Sequence, residues 1–64
     1  MRYKVKVTRT FAPPYSTALT SRKNCELYAQ GVCDRIGVSA EIIRNQVVVM
    51  RYWRDSEGLQ YLEY

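Results

Sequence analysis

The groups in this chain able to attack, move a proton or hold a metal are two cysteines, six carboxylates and ten basic side chains, with no histidine. Without an imidazole, acid–base work near neutral pH falls to carboxylates, a cysteine or a lysine of shifted pKa. Serines and threonines are plentiful, but nothing suitable stands beside them to activate them as nucleophiles. Cys25 and Cys33 lie eight residues apart in a helical segment, about 12 Å along its axis. A disulfide needs Cα atoms within about 7 Å, so the pair cannot bridge. Cys25 falls on the buried stripe, where a thiol is inert unless its pKa is lowered, and serves as a small core filler. There is no CxxC and no acidic cluster, and Gly31, Gly37 and Gly58 are scattered rather than gathered into a phosphate-cradling loop. The reading is of a protein that is not an enzyme and needs no cofactor or metal.

The remaining chemistry is recognition, and it concentrates in Gln46 to Arg54, QVVVMRYWR. Alternate side chains of a strand point to opposite faces. Val48, Met50 and Tyr52 form an unbroken apolar row, assigned to the core. Val47, Val49, Arg51 and Trp53 form the other row, and Arg51 is costly to bury unpaired. That row is therefore assigned to an open face, joined by Lys4 and Lys6 if Tyr3, Val5 and Val7 share the core. An arginine and a tryptophan ringed by small apolar residues suit the energetic centre of a protein interface. The expected partner-binding set is Lys4, Lys6, Val47, Val49, Arg51 and Trp53. A competing view is that Trp53 only caps the end of the sheet.

These residues must be positioned by short elements. Arg2 to Phe11 alternates polar and apolar residues, as a half-buried strand does. Ala12-Pro13-Pro14 cannot continue it, and Tyr15 to Thr20 reads as a returning strand, with a loop as the alternative. Ser21 or Thr20 can cap a helix from about Arg22 to Ile36, stopped by Gly37. Cys25, Tyr28, Ala29, Val32 and Ile36 share its apolar face, with Cys33 at the margin. Leu27 points away with Lys23, Gln30 and Asp34. Strands follow at Val38 to Ile43, Gln46 to Arg54 and Leu59 to Tyr64, separated by turns at Arg44-Asn45-Gln46 and Asp55-Ser56-Glu57-Gly58. The expectation is a single two-layer α+β domain over residues 1–64, in order ββαβββ, with one helix on one face of a mainly antiparallel sheet. The most apolar strand, the fourth, should sit centrally, between the first and third.

At 64 residues, the chain buries only about 60% of its unfolded surface, so support from a partner or a second subunit is expected. A symmetric homodimer through the open face is one version. Net charge is +4, and residues 1–23 carry +6 with no acid, against −2 over residues 24–64. That positive end would draw nucleic acid or an acidic protein surface, although lysines also serve simply to blunt an exposed edge. No apolar run approaches the ~20 residues that span a bilayer. Unpaired cysteines fit a reducing compartment, so a cytoplasmic location without membrane association is expected.

In length, basic charge, a lone helix (SRKNCELYAQGVCDRIG) and surrounding short strands, the chain resembles small phage-encoded proteins that inhibit host machinery, anti-CRISPR proteins among them. The resemblance covers the whole chain in architecture and includes no motif. It implies a stoichiometric blocker of a host protein or nucleoprotein complex, working in the host cytoplasm. The alternative is a small basic nucleic-acid-binding regulator, with Trp53 or Tyr61 stacking on bases. No RNP-like, KH-like or helix-turn-helix pattern supports that alternative.

Overall fold

The computed structural model describes residues 2–64. Alternation, caps and turns produce the elements expected of them. Strands β1 (Tyr3–Arg9) and β2 (Tyr15–Leu19) precede helix α1 (Arg22–Val32), and β3 (Val38–Arg44), β4 (Val47–Asp55) and β5 (Gly58–Glu63) follow. The fold is α+β, with a five-stranded antiparallel sheet in the order β2-β1-β3-β4-β5. The segment Tyr15–Leu19 is a strand rather than a loop.

Ser21 caps the helix, its hydroxyl oxygen accepting from the Asn24 amide at 3.2 Å. This satisfies one of the amides that a first turn leaves without a partner. The helix stops four residues short of Ile36 because Cys33 leaves helical geometry at φ −85°, ψ 58°. Its carbonyl, which a continuing helix would bond to Gly37, instead accepts from Arg54 Nε at 2.8 Å. Ile36 is thereby exposed instead of buried. Gly37 sits at φ +99°, where a Cβ would meet Thr10 Oγ1 at 3.2 Å, so the residue just before β3 must be glycine.

The strand order differs from expectation. The fourth strand does not lie between the first and third; β3 occupies the centre, with β1 on one side and β4 on the other. Asn45 and Gln46 both adopt positive φ, 51° and 67°, the backbone of a two-residue hairpin turn whose twist matches its strands. This turn binds β4 directly to β3, which both orders share. The difference is that β1 pairs with β3 and not with β4, setting Val5 opposite Ile42 and Val7 opposite Ala40 in the core beneath α1. β2 and β3 then run parallel on either side of β1, and α1 crosses between them. Gln46→Gly removes the left-handed strain of a residue with a Cβ. The change is expected to add about 0.5–1 kcal/mol of stability, read as a rise of a few degrees in a thermal melt.

The core lies beneath α1: Val5 and Val7, Val38, Ala40 and Ile42, and Met50 and Tyr52, closed by Cys25, Ala29 and Cys33. Tyr15 and Tyr28 join hydroxyls at 3.2 Å, fastening β2 to the helix. Leu27 points to solvent, as its helical position requires. Among the described residues, no helix is long and apolar enough to cross a membrane.

Candidate functional site

With α1 packed against β1, β2 and β3 from one side, no element among the described residues covers the opposite face of the sheet. The strand registers place its side chains in three rows. Ser16, Lys6, Glu41, Arg51 and Leu62 run across all five strands. Thr8, Ser39, Trp53 and Gln60 form a second row. Ala18, Lys4, Ile43 and Val48 form a third. Four of the expected site residues, Lys4, Lys6, Arg51 and Trp53, therefore do share one face, drawn from β1 and β4 with β3 between.

The two valines do not join them. The register slips between Ile42 and Ile43, so that Ile42 faces Met50 while Ile43 faces Val48. One extra β4 residue is thus accommodated as a bulge, and a bulge re-aims the side chains beyond it. Val48 moves to the open face beside Ile43, where the core had been expected to claim it. Val49 packs against the core, where the open face had been expected. Val47 pairs with Arg44 at the hairpin end and is exposed there, on the side to which Arg44 turns its guanidinium, 5.8 Å from the Tyr3 ring. The apolar share of the three rows is thus Ala18, Ile43, Val48, Leu62 and the Trp53 ring, and the rest is polar.

Charge within the three rows is three cations, Lys4, Lys6 and Arg51, against Glu41, which stands between Lys6 and Arg51 in register. Among the described residues the only ion pairs belong to Arg22, with Glu26 at 3.3 Å and Glu63 at 2.9 Å, on the helix side. The open-face cations are therefore not tied up in pairs. The Arg51 guanidinium lies 5.8 Å from the Trp53 ring centre, a cation–π distance that holds both side chains in a shared orientation.

Two shallow depressions flank Glu41. One, about 660 Å³, is bordered by Thr8, Thr10, Ser39, Arg51, Trp53 and Arg54, among others. The second, about 470 Å³, lies toward the β3–β4 hairpin and is bordered by Arg2, Lys4, Ser16, Ile43, Asn45 and Gln46. No carboxylate lines either one. Basic groups, hydroxyls and an aromatic ring together suit an anionic partner that also offers a flat or apolar group.

Sequence reasoning passed over Thr8, Ser39, Arg54, Gln60 and Leu62. The first two were legible, since they alternate in phase with Lys6 and Glu41. The others depend on how β5 registers on β4 and on the chain path past Trp53. Both thiols lie off this face. Burial pushes Cys25 above the usual range, helped by neighbouring Glu26. Burial does the same to Cys33, against an opposing pull from Arg54. Such thiols are poor nucleophiles at neutral pH.

No protein-family model, curated protein or solved structure matches this chain.

Proposed function

We propose that this protein is a non-enzymatic interaction domain that lays the open face of its sheet on an acidic surface of a protein or nucleoprotein complex and blocks it, as small phage-encoded inhibitors of the anti-CRISPR type do. The supporting observation is the gathering of Lys4, Lys6, Arg51 and Trp53 on a face that no element among the described residues covers. Trp53 and Arg51 are the anchors, Ile43 and Val48 the apolar surround, and Lys4 and Lys6 the rim that steers encounter. The absence of histidine and the raised thiols support a role without catalysis. The test is capture of a partner from host extract by the wild-type protein, followed by mass spectrometry. The reading requires that the same partner be lost when Arg51 and Trp53 are both replaced by alanine. Retention by that double variant would refute it.

The acid-free depressions favour one second reading, direct contact with single-stranded nucleic acid. Binding through Lys4, Lys6 and Arg51 predicts that log affinity falls with log salt at a slope of about −2, the value for three phosphate contacts on a single strand. Fluorescence of Trp53, the single tryptophan, should change as oligonucleotide is added. A signal indifferent to DNA and RNA at low salt removes this reading and leaves the protein-surface one standing.

A further inference from the structure

We infer that the outer edge of β5 pairs with the same edge of a second copy of this chain, joining two five-stranded sheets into one ten-stranded sheet about a two-fold axis. The inference rests on the edges of the sheet, not on its open face, and stands whether or not the proposed function does.

A free strand edge presents unpaired N–H and C=O groups, and proteins that remain single guard it with lysine, proline, a bulge or a covering element. The β2 edge is short, five residues, and is entered directly from Pro13 and Pro14, which have no amide to extend a ladder. The β5 edge, GLQYLE, has no lysine and no proline. Its one charge, Glu63, is held by Arg22 at 2.9 Å. Apolar and aromatic side chains crowd it instead, with Tyr61 62%, Leu62 49% and Tyr64 67% exposed.

The hydrogen-bond phase of β5 fits self-pairing. The Tyr64 amide donates to the Val49 carbonyl at 3.1 Å. Inward and outward groups alternate along an antiparallel strand, so Leu62 and Gln60 also bond toward β4. Leu59, Tyr61 and Glu63 are left with their N–H and C=O groups directed off the edge. A two-fold pairing centred on Tyr61 sets each of these opposite another of the three: Tyr61 meets the second copy's Tyr61, and Leu59 meets the second copy's Glu63.

The same register sets Tyr64 opposite the second copy's Gly58. A Cβ built on Gly58 would meet nothing within 4 Å, so an aromatic ring can lie over that glycine, a pairing known to repair weak strand positions. Tyr52 and Tyr61 already stand 5.8 Å apart, and pairing would extend them into a row of four rings. Because the axis runs perpendicular to the sheet, both helices stay on one side and the two basic faces merge into one.

The test is mass in solution by sedimentation across a range of concentrations. The wild-type chain is expected to reach twice the mass of the single chain. Tyr61→Pro should stay single with an unchanged circular dichroism spectrum, since the lost amide serves no bond within the sheet. Tyr61→Lys, which opposes like charges across the axis, should also stay single, and Trp53→Ala should still double. A wild-type chain that is single at every concentration overturns the inference. So does doubling that survives both Tyr61 variants, or that is lost in Trp53→Ala while Tyr61→Lys still doubles.

Discussion

Trp53→Ala is expected to weaken binding to a captured partner by about 30-fold or more while the chain stays folded. The magnitude is that of an interface anchor, at least about 2 kcal/mol on truncation. The fold should survive because Trp53 is only half-buried and stands outside the buried cluster. Its row neighbours are Ser39 and Gln60, and its aromatic face is approached by Arg51. Arg51→Lys provides a sharper companion, since it keeps the charge and loses the planar group that stacks on the indole. Calorimetric titration with the partner measures the loss, and circular dichroism reports the fold. A Trp53→Ala product without cooperative unfolding would show that the indole supports the core instead of meeting a partner.

Ile42→Ala should have the largest effect on stability. Ile42 is fully buried, the bulkiest of the completely enclosed side chains, and sits in the central strand. Val5 and Met50 are its cross-strand neighbours. Truncation there costs about 2–5 kcal/mol, partly as lost burial and partly as a cavity. At roughly 0.05–0.15 kcal/mol per residue, a domain of this length has only about 3–10 kcal/mol in total. A loss of 3 kcal/mol corresponds to a fall in melting temperature of about 20 °C, so much of the Ile42→Ala population should be unfolded at physiological temperature. Val48→Ala supplies the contrast. If the bulge sends Val48 to the open face, the same kind of truncation costs under about 1 kcal/mol. Equal losses at the two positions, measured by urea titration, would contradict the register described here.

The elements were legible wherever one residue carries a local signal. β1 alternates lysines with valines, so its inward and outward faces were assigned correctly, and Lys4 and Lys6 with them. Ser21 has the hydroxyl that caps a helix, and Asp55 accepts from the Glu57 amide at 2.8 Å to close the last turn. The phase of β4 was legible only in part. In Val47-Val48-Val49-Met50 every position is apolar, so displacement by one residue leaves the pattern unchanged and the bulge has no signature. At Arg51 the first charge after that run marks one face as the outward one, and the faces assigned to Arg51, Tyr52 and Trp53 hold. The end of the helix escaped for a different reason. Its stop depends on Arg54, 21 residues away, capturing the Cys33 carbonyl.

By itself, then, the chain of amino acids determined the number and kind of elements, their order, and the outward basic side of β1. Caps, alternation and turn backbones act between residues only a few positions apart, and their chemistry can be read directly. Which strands are neighbours, where β4 bulges, and which edge remains free were decided by the tertiary structure. Those outcomes turn on backbone hydrogen bonds and apolar contacts between distant segments, where several pairings satisfy the same pattern. Only the packing of a single helix over β1, β2 and β3 chooses among them.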